Sequence, residues 1–221
     1  MKILGLSSSP KGSKSITLRL VEEGVAGAKG AGAEGTIIDV SSMRILRCKG
    51  CAECYRTGHC VQDDDFSFVL ESMLAADGLI VGSPSYTGDV TPKAECLMER
   101  MGDVVRCRLL ENKYGFSVCV SRHGDEDQVA ARLNHFLNSC GVVTTGSLCV
   151  SAGIAGSPDG AMAEARDLGA DLVAAVSERR VYPRQEEERA RFLVEFSKAV
   201  RENKAVWDHD YEYWLKKGWI K

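Results

Sequence analysis

Long apolar runs are missing from this chain. The longest spans a handful of residues, where about 20 would be needed to cross a bilayer, so no membrane partner is expected. A surplus of positive charge is missing too. The 28 Lys and Arg residues against 31 Asp and Glu leave a net charge of −3, which offers no basic face for nucleic-acid phosphates. Proline is scarce, and neither an internal repeat nor a low-complexity linker interrupts the sequence. The N-terminus lacks a signal-peptide plan: Met1-Lys2-Ile3-Leu4-Gly5 leads straight into a strand-like segment, so the expected compartment is the cytoplasm. Thiols stay reduced there, and clustered cysteines then read as metal ligands or redox groups rather than staples. With 221 residues, 44% of them apolar and 27% charged, the chain is long enough to bury a full core unaided by disulfides.

What is present is an alternation. Lys2 to Ser7 is a short buried-strand pattern, and Leu18, Val21, Val25 and Ala28 then step by three and four along one helix face. Thr36 to Val40, Gly78 to Gly82, Tyr114 to Val120 and Val142 to Val150 are further strands. Between them lie helical patterns after Asp65, after Thr91-Pro92 (Pro at the first helical position), and through Val129, Leu133, Phe136, Leu137 and Cys140. The run Asp63-Asp64-Asp65 suits the positive end of the helix that it opens. A last core helix is expected after Pro158-Asp159. Five strand–helix alternations require crossovers, hence an α/β fold with a mainly parallel sheet covered on both faces. Residues 1–180 form that domain, and 181–221 form a C-terminal helical arm holding all three tryptophans, Trp207, Trp214 and Trp219. Those rings either pack on their own domain or reach a neighbouring subunit to roof its cofactor site.

Ligands of an open parallel sheet collect outside the carboxyl ends of its strands. The loop after the first strand, Ser8-Ser9-Pro10-Lys11-Gly12-Ser13-Lys14-Ser15, is hydroxyl-rich and enters a helix N-terminus, where backbone N–H groups and Lys11 would cradle a monophosphate. It contains neither an intact Walker A sequence nor a G-x-G-x-x-G fingerprint. A polar turn with hydroxyl caps is the plainer reading. The third loop, Ser83 to Val90, combines Pro84, Tyr86 and Gly88 and could lie along a flat aromatic ligand. In the fourth loop, Ser121 to Glu126, polar residues stand where a ring's carbonyl edge needs donors. His123 there reads by itself as a surface histidine.

Cys48, Cys51, Cys54 and Cys60 have the form C-x2-C-x2-C-x5-C, four ligands within thirteen residues. Three thiolates at this spacing can wrap three corners of a cubane, and the fourth closes it after a Gly-containing turn, which favours a 4Fe-4S cluster. Zinc usually takes two separated knuckles, and it stays an alternative beside free or redox-active thiols. His59, inside the motif, has a supporting or solvent-facing role by default. Cys96, Cys107, Cys119, Cys140 and Cys149 are scattered and read as buried small hydrophobes. The motif's start just after the second strand places it, on sequence, near the ligand end of the sheet.

Ser8-Ser9-Pro10-Lys11 through Ser15, and Ser83-Pro84-Ser85-Tyr86 with Lys93 and Leu97-Met98-Glu99-Arg100 downstream, resemble the flavodoxin-like NAD(P)H-dependent FMN reductase superfamily over residues 1–150 or so. The cysteine pattern, followed by acidic residues within Asp63 to Asp65, is similar to that superfamily's iron–sulfur flavoprotein branch. The resemblance implies a doubly wound five-stranded sheet of order 2-1-3-4-5, with one FMN and one 4Fe-4S cluster per subunit and a homodimer or homotetramer. It implies that Ser9, Lys11, Ser13, Ser15, Ile16 and Thr17 hold the FMN phosphate. Pro84, Ser85, Tyr86, Thr87, Gly88, Ser121, Arg122 and Gly124 would line the isoalloxazine. Lys11 stands where the superfamily has Arg, a point charge in place of a bidentate fork.

The expectation for function is an FMN-dependent oxidoreductase that moves electrons between a ferredoxin-like carrier and a small-molecule acceptor through cluster and flavin. One alternative is an NAD(P)H-dependent flavin or quinone reductase in which the cysteines are secondary. Another is a zinc-bearing binding or redox-sensing module on the same scaffold.

Overall fold

The computed structural model describes residues 1–152 and 159–221. Chain order is β1 (Lys2–Ser7), α1 (Ile16–Gly30), β2 (Glu34–Asp39), α2 (Glu53–Thr57), α3 (Phe66–Ala75), β3 (Gly78–Pro84), α4 (Pro92–Glu99), α5 (Gly102–Arg106), β4 (Tyr114–Ser121), α6 (Glu126–Ser139), β5 (Val143–Ser151), α7 (Asp159–Glu178), α8 (Pro183–Glu202) and α9 (Asp208–Lys216). All strand pairings are parallel and the sheet order is β2-β1-β3-β4-β5, as the sequence implied. The direction of winding reverses between β1 and β3, so the loops that follow them flank the crevice where such sheets bind ligands. Pro158, expected just ahead of the last core helix, lies outside the described residues.

The strands face apolar layers on both sides, so adjacent residues are buried in opposite directions. Leu4 and Leu79 join Phe66, Met73, Met101 and Leu137 beneath α3 to α6. Ile3 and Ile80 join Leu20, Val25, Phe116 and Leu172 beneath α1 and α7. α1 and α7 approach backbone to backbone: a Cβ on Gly27 would sit 1.9 Å from the Arg166 carbonyl oxygen, and one on Gly169 equally close to that of Gly24. Among the described residues no helix is long and apolar enough to cross a membrane.

The C-terminal arm folds onto its own chain. Val200, Trp214 and Ile220 are buried together, with Phe192 and Phe196 packed on them. Trp207 lies over the Arg106 guanidinium at 3.4 Å, with Tyr55 of α2 on that cation as well at 3.8 Å. The Trp214 indole N–H donates to the Arg106 carbonyl at 3.0 Å. Trp207 and Trp214 are thus engaged within the chain, the plainer of the two arrangements open from sequence. α9 was not legible as a helix; nor were α2 and α5, each only five residues long.

Candidate functional site

At the carboxyl ends of β1, β3 and β4 the three loops enclose a cavity of ≈ 290 Å³. Ten of the residues named from sequence line it: Ser9, Lys11, Ser15, Ile16 and Thr17 on the phosphate side, and Pro84, Ser85, Tyr86, Ser121 and Arg122 on the other. Pro10, Lys14, Val120, His123 and Ala152 complete the wall. His123, read alone as a surface histidine, therefore faces the cavity; its only sequence signal was its place in the fourth loop. Ser13, Thr87, Gly88 and Gly124 do not line it. Ser13 is exposed on a 3-10 turn over Gly12–Lys14. Thr87 (φ 54°) and Gly88 (φ 78°) are the two left-handed centres of a tight turn in which Tyr86 and Asp89 pair antiparallel, so they shape the loop from outside the cavity.

Hydrogen bonds between elements hold this rim. Ser8 N–H donates to the Gly82 carbonyl at 3.0 Å, and Thr91 Oγ1 donates to the Ser8 carbonyl at 3.1 Å, joining the first and third loops. Ser85 N–H donates to the Val120 carbonyl at 2.9 Å. Ser121 Oγ donates to Asp125, and hydrogen bonds from Ser121 and Ser85 hold that carboxyl below the usual carboxylate range. At the phosphate side Ser15 caps α1, accepting from Leu18 N–H at 3.1 Å. The first-turn amides of Ile16 and Thr17 lack intrahelical partners, as at any helix start, and Lys11 and Lys14 stand beside them. An anionic phosphate fits this end, and a flat ring fits between the third and fourth loops.

The cysteine loop is built by different means. Cys48 and Cys51 are exposed, Cys54 and Cys60 half-buried, and all four thiols are free. Left-handed Ala52 (φ 60°) and Gly58 (φ 76°) bracket α2, so the chain reverses on both sides of Cys54. Two of the sulfurs already accept N–H: Cys48 Sγ from Gly50 at 3.3 Å and Cys60 Sγ from Arg100 Nε at 3.2 Å. Burial, reinforced by the Asp103 carboxylate and Cys60, pushes the Cys54 thiol up to about 11; iron would have to displace that proton. Free thiols closely spaced in sequence, with N–H groups aimed at sulfur, form a donor set suited to an iron–sulfur cluster.

Arg100 is the hub of this region. Its guanidinium also donates to the Leu46 carbonyl at 3.0 Å and to both Asp64 oxygens at 2.8 and 3.2 Å, and both side chains are fully buried. Asp64 accepts in turn from Leu46 N–H at 2.9 Å, and Asp65 from Arg44 N–H at 2.6 Å. The acidic run, read from sequence as helix-dipole partners, thus also fastens the loop.

The loop's position corrects the sequence expectation. It leaves β2 near the ligand end but is held at the other end of α4, where Glu99 accepts from Cys48 N–H at 3.0 Å and Arg100 reaches Cys60. α4 begins at the cavity rim, with Thr91 as its cap. Eight helical residues at 1.5 Å each make α4 about 12 Å long. The chain runs alongside α4 because Lys93 Nζ, near the helix start, donates to the Met43 carbonyl at 2.9 Å.

Residues 1–156 match the family model described as NADPH-dependent FMN reductase. The chain is 28% identical, over all of both chains, to an iron-sulfur flavoprotein of Archaeoglobus fulgidus. It is 30% identical over 161 residues to an iron-sulfur flavoprotein of Methanosarcina thermophila, covering 72% of this chain and 84% of that protein. A solved flavone reductase superimposes with a TM-score of 0.64 at 20% identity, over 80% of this chain. This chain spans 63% of that structure, a likeness of fold.

Proposed function

The chain belongs to the NADPH-dependent FMN reductase family, in its iron–sulfur flavoprotein branch, and is an FMN-dependent oxidoreductase; on that premise we propose that it relays electrons between a ferredoxin-like carrier and a small-molecule acceptor. Ser9, Lys11, Ser15, Ile16 and Thr17 would hold the FMN phosphate, and Pro84, Ser85, Tyr86, Ser121, Arg122 and His123 its ring. Cys48, Cys51, Cys54 and Cys60 would ligate one 4Fe-4S cluster. When bound, the cluster handles electrons singly and the flavin handles one or two, so together they connect a one-electron carrier to a two-electron acceptor.

The protein's own groups have distinct tasks. Lys11 and Lys14 offset the phosphate charge. Asp125 ties the third loop to the fourth, keeping the two faces of the ring slot in register. Arg100 places a buried positive charge against Cys60, where it would offset the negative charge of a bound cluster. α4 carries the reading: one short helix is fixed to the flavin-side loop at Thr91 and to the cysteine loop at Glu99 and Arg100. The assembly is proposed to be a homodimer or homotetramer.

Anaerobic reduction of the flavin by a reduced ferredoxin tests the path. In Cys48→Ser protein that keeps its FMN, carrier-driven reduction is expected to stop; an unchanged rate would refute the relay. A second reading, an NAD(P)H-dependent reductase, is favoured by the openness of the ring slot, where Tyr86 is 44% exposed. Rapid bleaching by NADPH or NADH, equal in the wild type and Cys48→Ser, would select it.

A further inference from the structure

Where α9 packs beside α5, three side chains with metal-binding atoms converge outside the C-x2-C-x2-C-x5-C loop, with a further carboxylate, Asp210, beside them. Asp103 and Cys107 are four residues apart and lie on one side of α5 and its cap. His209 and Asp210 come from the first turn of α9, more than a hundred residues later. The donor atoms of Asp103, Cys107 and His209 all lie within 4.8 Å of one another. Cys107 Sγ is 3.7 Å from Asp103 Oδ1 and 3.7 Å from Asp210 Oδ1, and His209 Nε2 is 3.4 Å from Asp103 Oδ1. A tetrahedral ion bonded at 2.0–2.3 Å separates its ligands by roughly 3.3–3.7 Å, a range that Asp103 meets with both Cys107 and His209.

The surroundings leave the cluster short of positive charge. Asp210 is fully buried, as is Cys107, and the Asp103 side chain is 7% exposed. Asp210 spends its other oxygen on Arg106. His209 Nε2 is itself buried and has no hydrogen-bond partner among the described residues. Burial, with Asp210 adding to it and His209 opposing it, pushes Asp103 up to about 6, as expected where two carboxylates share one pocket.

We propose that Asp103, Cys107 and His209 form a zinc site, separate from the four clustered cysteines, that pins the C-terminal arm to α5, with Asp210 beside it on Arg106. The mixture of one sulfur, one imidazole and one carboxylate suits zinc, and the first turn of α9 supplies the ligand that joins the arm to α5. Burial and the two carboxylates keep the Cys107 thiol protonated in the metal-free protein, so Zn2+ uptake releases that proton to solvent as the Zn–S bond forms. The His209 ring lies against Gly58 at the turn of the cysteine loop, where a Cβ would come within 2.5 Å of it.

The test uses the iron- and flavin-loaded protein, equilibrated with Zn2+ and then desalted against a weak chelator. About one zinc per chain is expected in the wild type. His209→Ala and Cys107→Ala should each weaken retention at least a hundredfold while iron and FMN stay unchanged. Because His209 is partly exposed, its variant reports even if the Cys107 variant fails to fold. Wild type that retains no zinc, or zinc retained equally by the His209 variant, overturns the site. So does zinc lost in Cys51→Ser and kept in His209→Ala, which would assign it to the cysteine loop. Iron-free preparations must still bind zinc here, so a failure of the iron–sulfur reading cannot be mistaken for a failure of this one.

Discussion

The flavin-side rim and the cysteine side of α4, each proposed to hold a prosthetic group, are built of opposite materials. The rim is made of strand ends, short hydroxyl side chains and backbone N–H groups, sewn together by bonds between neighbouring parallel strands. The cysteine side is a loop around the short helix α2. Its form depends on buried long-range charge pairs, Arg100 with Asp64 and Arg106 with Asp210, whose partners are 36 and 104 residues apart. A rim of this kind tolerates loss of single contacts, whereas a loop hung on two buried ion pairs does not.

The comparison breaks most visibly at Asp64. Asp64→Ala leaves a fully buried guanidinium unpaired, and a loss of about 3–5 kcal/mol in urea unfolding is expected. The double variant Asp64→Leu with Arg100→Leu should recover most of that stability, yet lower the equilibrium for cluster reduction, with a tenfold change read as about 59 mV. An Asp64→Ala loss under about 1 kcal/mol would dissolve the distinction between clamp and rim.

Acid should act through the same pair. Burial would raise the Asp64 pKa, but hydrogen bonds from Arg100 and from the Leu46 and Phe66 amides outweigh it and hold the group below its usual value. Its contribution is therefore present above the ordinary carboxylate range near 4 and is lost as pH falls through the lowered folded value. Urea midpoints measured from pH 6 to pH 3 should fall in the wild type and fall less in Asp64→Asn.

On the flavin side the effects are smaller and local. Lys11→Ala removes one charge-assisted contact to phosphate, about 1.5–3 kcal/mol, so FMN should bind roughly tenfold or more weakly by fluorescence quenching while iron content is unchanged. Smallest is Ser15→Ala, where loss of the α1 cap should cost about 1 kcal/mol of stability. An iron loss in either variant would show that the two regions are not independent.

The same contrast explains what the sequence disclosed. Strands β1 to β5 are short apolar runs between turns, the long helices carry a period-3.6 pattern, and the loops at their ends follow from topology; hence Ser9, Lys11, Ser15 and Tyr86 could be named in advance. The cysteine loop marked its candidate ligands by spacing but not its position, because Glu99 and Arg100 lie far along the chain and nothing local marks them as its anchors. Cys107 read as a buried small residue, and it is buried; what surrounds it comes from α9, a helix whose aromatic and charged pattern gave no period to follow. Asp64 and Asp65 read as helix-end acids because their other partners, Arg44 and Leu46, are visible only once the loop has folded back.

The most direct test of the central claim is an assay of iron, acid-labile sulfide and FMN on one anaerobically purified sample. About four irons and four sulfides with one FMN per chain are predicted, the metal and sulfide falling together in Cys60→Ser while the flavin remains. Flavin bound at full occupancy with no sulfide, or with zinc held by the cysteine loop, would contradict it.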